Sequence, residues 1–463
     1  MNGMKKMRNI INIIMMILIM SSLVNIADAA TYYVRTDGHN ANCNGLYNAG
    51  SMSAPNCAYS SIQKGHDAAS AGDTIRVQQG TYSGQWLRIL KSGSSGSPIT
   101  YIADGEVILT GTYSGFRIDG QKYIVINGFK ITGTGYDYDG YIYLKGAAEY
   151  NQILNNVMYN GDNHSPGIAC EGVNNNIKGN AIKNMSYTGL VLGGSHNIFE
   201  NNTLSNIIGS DAMNVFGHDN IIRGNYIEHI EEQESNGQHS DIIQTWGPGE
   251  SYNILFEGNY VYHSRAQIGM FSQDGGINVR DWTFRNNVYI DIEAQANIYA
   301  PNFKWYNNTF YCSRIMAGEV LEFRNGAAGS GNNGDVRNNI FVGCGSLPNS
   351  TGWYKYFAGT TGGIADYNYV AKGPWDSVPY GAKSGFTEVH GINGGDPKFV
   401  ALDAGNVRLR ADSPAIDKGT EITSFGKDFT GTPRPQGAAW DIGAYEYRSA
   451  TALGTPQNFR KIN

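Results

Sequence analysis

Charge is scarce in this chain: only 16% of its 463 residues are Asp, Glu, Lys or Arg. Such a composition argues against a protein of long, salt-bridged helices. Cysteine is scarce too, at five, and no CxxC or Cys/His spacing points to a zinc site. Beyond residue 29 no apolar run is long enough to span a bilayer. A basic excess is also missing. The formal net charge of −6 argues against nucleic acid as a partner, although it leaves room for a polyanionic sugar bound by a local basic patch. What is abundant is Gly, at 60, and Tyr, at 30. That balance suits many short strands joined by tight turns.

A motif recurs through the middle of the chain. An apolar residue stands three positions before an Asn, and another stands two positions after it. The Asn positions are Asn156, Asn180, Asn202, Asn225, Asn259, Asn287, Asn308 and Asn339. The commonest interval is a little over twenty residues, the period of a solenoid in which each repeat is one turn of a stack. Neighbouring columns support this register. Ile153, Ile177, Phe199, Ile222, Phe256, Phe284, Trp305 and Val336 form an apolar column, and Lys178, Glu200, Arg223, Glu257 and Arg285 form one of alternating charge. Strands stacked about 4.8 Å apart would set those opposite charges over one another on an exposed face. The Asn column reads as a buried amide ladder at a tight turn. The fold expected is an all-β, right-handed parallel β-helix. Residues Ser60 to Ala71 read as a short amphipathic helix that caps its open N-terminal end.

Residues 1–29 read as a secretory signal, with Lys5, Lys6 and Arg8, an apolar run from Ile10 to Met20, and a small-residue cleavage site at Ala27-Asp28-Ala29. The β-helix domain is expected over 30–448, with 449–463 a linker or truncated extension. In a secreted protein Cys43 and Cys57 are expected to pair. Cys312 and Cys344, in adjacent coils, either pair or pack, and Cys170 reads as a buried thiol.

Two further stretches carry a resemblance. Ser61-Ile62-Gln63 through Gly72-Asp73-Thr74-Ile75 to Gly80-Thr81-Tyr82 resembles the first-coil signature of secreted bacterial β-helix proteins of the pectate-lyase-like superfamily. The tail resembles the same group: Asp396-Pro397-Lys398-Phe399, Ser413-Pro414-Ala415-Ile416-Asp417-Lys418-Gly419, Pro433-Arg434-Pro435 and Asp441-Ile442-Gly443-Ala444-Tyr445-Glu446. The resemblance implies fold and secretion. The superfamily holds lyases, hydrolases, epimerases and non-catalytic binding proteins, so chemistry must be argued from a site. The chain has no polygalacturonase-like Asn-Thr-Asp motif, no Asp-Pro-His motif of alginate epimerases, and no Lys/Arg arrangement of the alginate and chondroitin lyases. No single family's catalytic residues transfer.

The largest coil, Asn225 to Asn259, contains a polar insertion, Glu231 to Asp241, that opens onto Ile242-Ile243-Gln244-Thr245-Trp246. Long polar loops at the mouth of a groove carry function. The candidate catalytic residues are His239, Asp241, His263 and Arg265. His229, His263 and Asp291 share one column, and Glu231, Arg265, Glu293 and Arg314 another. Gln244, Trp246, Gln267, Gln273 and Asp274 are candidate sugar-binding residues, because an indole face takes a pyranose ring and amides bond its hydroxyls. Glu231 and Glu234 are candidate calcium ligands; no other cofactor is implied. These side chains suit β-elimination on a uronate-containing polysaccharide by a monomeric enzyme. The alternatives are a glycoside hydrolase using Asp241 and a second carboxylate (Asp274 or Glu234), or a non-catalytic glycan-binding protein.

Overall fold

The computed structural model describes residues 29–449 except 136–138, 162–163, 233–238, 247–248, 274–277, 293–294, 313–319, 345–354, 359 and 372–387. The signal segment and nearly all of 449–463 therefore lie outside the described residues. The described residues form a right-handed parallel β-helix.

Each full coil carries three short strands. In the first sheet Gln152–Leu154, Asn176–Lys178, Ile198–Glu200, Ile221–Arg223 and Leu255–Glu257 stack in parallel register. In the second, Val157–Tyr159, Ala181–Met185, Thr203–Ile208, Tyr226–Glu231 and Tyr260–Ser264 do the same. The third contains Ile142–Lys145, Ile168–Cys170, Leu190–Leu192 and Met213–Val215. It resumes higher up with Gly269–Phe271, Ala296–Ile298 and Leu321–Gly326. Between them the predicted strand Ile242 to Trp246 makes isolated bridges rather than a continuous ladder.

The Asn ladder lies at the corner between the first and second sheets. The backbone N–H of Asn156 donates to Asn180 Oδ1 at 2.9 Å, and its Nδ2 donates both to Ile126 O and to the same Asn180 oxygen. The pattern repeats upward through Asn339 to Asn368. There Glu388 takes over as the acceptor, at 3.0 Å from the Asn368 N–H. Burial pushes the Glu388 carboxyl up to about 8. The residue before each ladder Asn turns the chain in the left-handed region, with φ of 53° at Asn155 and Asn201 and 68° at Gly179. Asn and Gly tolerate that conformation at least cost.

A second ladder occupies the corner between the third and first sheets. Asn151 donates to Asn175, Asn175 to Asn197, and Asn197 to Asn220. Above Asn220 the same corner is filled by Ile254, Trp282 and Phe303, all fully buried or nearly so. Trp282 stacks on Phe303 at 5.8 Å and Phe284 on Trp305 at 3.9 Å.

The charge column is as expected: Glu200 bridges Lys178 and Arg223, and Arg285 meets Glu257 at 2.9 Å. The capping helix, α1, is shorter than predicted, spanning Ile62–Ala68. Ser61 Oγ caps its start, and Ala69 is already extended. It packs Ile62, Gly65 and His66 inward. Disulfides join Cys43 to Cys57 and Cys312 to Cys344, and Cys170 is a buried thiol.

The tail leaves the coil path. Phe399–Ala401 pairs antiparallel with Asn406–Leu409. Val407, Ala444 and Tyr445 then pack on Val288 and Ile290 of the second sheet. Arg434 and Glu446 form a fully buried pair at 2.6 Å, and Arg434 also donates to Asn286 Oδ1. The motifs Pro433-Arg434-Pro435 and Asp441 to Glu446 are thus a side clamp on the stack.

Candidate active site

The third sheet is entered at a corner where one residue per coil lines up vertically. Register places Asp211 one coil below Asp241 and Gln267 one coil above it. Asp241 N donates to Asp211 Oδ1 at 2.8 Å, and Gln267 N donates to Ser240 O at 2.9 Å. Two carboxyls therefore share a buried column. Asp241 is fully buried and Asp211 is 8% exposed.

His239 stands beside this pair. Its Nδ1 lies 2.9 Å from Asp241 Oδ2, and its side chain is 43% exposed. The imidazole is off the line of an ideal hydrogen bond. Neither Asp241 oxygen has a well-aligned donor among the described residues, and Asn214 Oδ1 in the coil below is also unsatisfied. Buried polar atoms without partners are rare and gather where function needs them. Asn214 Nδ2 donates to Thr188 Oγ1 at 3.2 Å, which extends the polar column downward.

These contacts set the ionisation. Burial and the Asp241 charge push Asp211 up to about 7. Burial also raises Asp241, against the pull of His239. The Asp241 contact raises His239 above the ordinary imidazole value, against the effect of its own partial burial. The arrangement is an exposed imidazole held from behind by a buried carboxyl, with a second proton-holding carboxyl beneath it. Such a pair serves as a general base or acid.

The structure brings some of the sequence-predicted residues together and separates others. His239 and Arg265 each stand two residues before a partner of the Asp241–Gln267 bridge, which sets Arg265 in the coil above His239. Arg265 is exposed, with its N–H held by Ile230 O at 3.0 Å. Gln244 sits on the outer face above Asn214. Trp246 is 41% exposed and meets Phe216 edge to face at 5.2 Å. These two rings overlook a cleft of about 480 Å³ that also includes Gly193, Ser195 and His218. Gln267 accepts from Asn297 at 3.2 Å.

His263 is placed differently. It pairs with Asp291, and its ring lies 4.8 Å from that of His229. That column continues the outer ladder Asn160, Asn184, Asn206 and shares its left-handed backbone. Gln273 donates its amide to Val279 O at 3.0 Å. Glu231 closes the base of the insertion through its carbonyl, which accepts from Ser240 Oγ and from Gly209 N. Glu234, Asp274, Glu293 and Arg314 lie outside the described residues.

Sequence reasoning missed Asp211. The signal was present: Asp211 and Asp241 stand at the same distance before Met213 and Ile243, which occupy one column. Another cleft, of about 730 Å³, lies elsewhere, between the second sheet and the tail. Tyr226, Tyr260, Tyr262 and Arg408 line it, but no acid–base pair of the kind at His239 does.

No protein-family model matches the sequence, and no curated protein matches it. Solved structures do match in shape. The complex of XylC with xylose aligns over 89% of this chain and 98% of its own, at 11% identity and a TM-score of 0.54. A GH136 lacto-N-biosidase from Eubacterium ramulus aligns over 74% and 68%, at 12% and 0.52. The PL6 family alginate lyase AlyGC aligns over 75% of this chain but 54% of its own length, at 14% and 0.50. At these identities the likeness is one of fold. The chain has a right-handed parallel β-helix fold, the fold expected from its Asn ladder and implied by its first-coil and tail motifs.

Proposed function

We propose that this chain is a carbohydrate-active enzyme that cleaves a uronate-containing polysaccharide by β-elimination, with His239 as the proton-transferring residue. The observation that carries this reading is the exposed His239 imidazole, 2.9 Å from the buried Asp241 carboxyl. Elimination needs a base for the proton beside the uronate carboxylate and a cation to stabilise the charge that develops there. His239 supplies the first and Arg265, one coil above, the second. Asp241 positions the imidazole. Trp246, Gln244 and Gln267 offer an aromatic face and amides along the same strand stack, as sugar rings require. The proteins of similar shape, XylC in complex with xylose, a lacto-N-biosidase and an alginate lyase, are in keeping with a glycan substrate.

A second reading rests on the stacked carboxyls. Asp211, holding its proton to about pH 7, could act as the acid of a hydrolase with Asp241 as its partner. The burial of both carboxyls favours the first reading. The two differ in product and in pH dependence. Elimination yields an unsaturated, ultraviolet-absorbing product, and its rate falls as acid protonates His239, at a pH above the ordinary imidazole value because of Asp241. Hydrolysis yields reducing ends without that absorbance, and its rate falls as pH rises past about 7. A panel of polyuronates followed by both readouts decides between them. His239→Ala is expected to lower turnover by about 10²–10⁴-fold with little change in thermal unfolding. Full retained turnover in that variant would remove His239 from the mechanism.

A further inference from the structure

A different cluster lies at the corner where the third sheet hands over to the first. His196 and Asp219 occupy one corner column in successive coils, both in the left-handed region, with φ of 58° and 56°. His218 precedes Asp219. The nearest donor atoms of His196, His218 and Asp219 all lie within 4.8 Å of one another. His218 Nδ1 is 2.6 Å from Asp219 Oδ2, and His196 Nε2 is 3.6 Å from the same oxygen. Both imidazoles thus converge on one carboxylate oxygen.

The support around the cluster is built by its own coils and the two above them. Asn253 Nδ2 donates to Asp219 Oδ1, leaving Oδ2 to face the imidazoles. Tyr252 stacks on the His218 ring at 4.7 Å with 6° between planes, and Arg280 sits 4.3 Å over the far side of the tyrosine. Backbone bonds fix the turns: His196 N donates to His218 O, His218 N to Ser195 Oγ, and Asp219 N to Tyr252 O. Partners that orient imidazoles and take the second carboxylate oxygen are what a metal site needs behind its ligands. A plain turn column would need one polar residue per coil. Here two imidazoles meet a single oxygen.

We propose that His196, His218 and Asp219 bind a divalent transition-metal ion, of the class of Zn²⁺. Two imidazoles and one carboxylate match zinc, whereas calcium and magnesium call for an oxygen shell. Ligand bonds of about 2.0–2.2 Å fit donors a few ångströms apart. Binding would widen the 2.6 Å His218–Asp219 contact and release the proton between them to solvent. The side chains of His196, His218 and Asp219 are 55%, 30% and 32% exposed, so water can complete the coordination. Because His218 also lines the cleft beneath Trp246, the ion sits at the edge of that cleft. This site is independent of the proposed His239 chemistry.

The test is titration of the chelator-treated full chain with Zn²⁺ by calorimetry, and with Co²⁺ by its visible absorption. The expected result is one saturable site whose Co²⁺ spectrum shows nitrogen and oxygen ligation. Asp219→Asn and His196→Asn should each weaken it at least tenfold. Asparagine keeps the left-handed turn in both variants, so the coils remain intact. The double variant His229→Asn, His263→Asn should leave binding unchanged. No saturable Zn²⁺ binding, unchanged binding in His196→Asn, or loss on changing His229 and His263 would each overturn the proposal.

Discussion

One corner of this β-helix is filled in two ways. In the lower coils Asn151, Asn175, Asn197 and Asn220 form a hydrogen-bonded ladder between the third and first sheets. In the upper coils Ile254, Trp282 and Phe303 take its place; Trp282 and Phe303 stack with Phe284, which in turn stacks on Trp305. The other corner keeps asparagine from Asn156 up to Asn368. A polar rung closes a turn by giving its neighbours acceptors; an aromatic rung fills volume by dispersion. The changeover falls between Asn220 and Ile254, on the longest coil. That coil also carries His239 and Asp241 and interrupts the third sheet. A stack that changes its packing rule at one coil can tolerate an insertion there, and the candidate site occupies that junction.

The contrast can be broken from either side. Trp282→Ala in the apolar half should cost the most, about 3–5 kcal/mol, because a stacked ring leaves a cavity; denaturant unfolding measures it. At the junction Asp211→Asn should act the other way. Below about pH 4 the carboxyl is protonated whether folded or unfolded. From there to about 7 only the folded chain holds the proton, so wild-type stability falls with rising pH across that window. The amide removes this loss and should stabilise by roughly 1–4 kcal/mol at pH 7. A variant no more stable than wild type would mean that Asp211 titrates normally. Asn225→Leu in the polar corner should cost about 1–3 kcal/mol through unsatisfied neighbours, and a neutral result would contradict a buried ladder. The smallest change is expected for Lys178→Ala on the exposed charge column, about 0–1 kcal/mol and vanishing at high salt.

The fold was legible because its main ladder repeats in one linear register. Counting from Asn156 to Asn339 located the inside, outside and turn columns. The second ladder escaped notice because asparagine gives way to isoleucine and tryptophan halfway up, so no single residue type marks that column. It lies five residues before the first, at Asn151, Asn175, Asn197 and Asn220, and a search at that offset would have found it. His239 and Asp241 were singled out from the polar insertion that contains them, and Arg265 from the column it shares with Glu231. Asp211 was not, because it precedes the insertion and gains meaning only as the rung beneath Asp241. The His196 cluster was hidden for the same reason: its third donor comes from another coil, outside any local Cys/His spacing. The tail motifs carried a resemblance to β-helix proteins, but their docking on Val288 and Asn286 depends on contacts across more than a hundred positions.

The amide ladder also runs one way. Each rung donates downward to a carbonyl and upward to the oxygen of the rung above, so every coil waits on its successor for an acceptor. A chain emerging N-terminus first would lock each turn as the next one arrives. Glu388, supplying carboxyl oxygens to Asn368, acts as a full stop at the top of this vertical sentence.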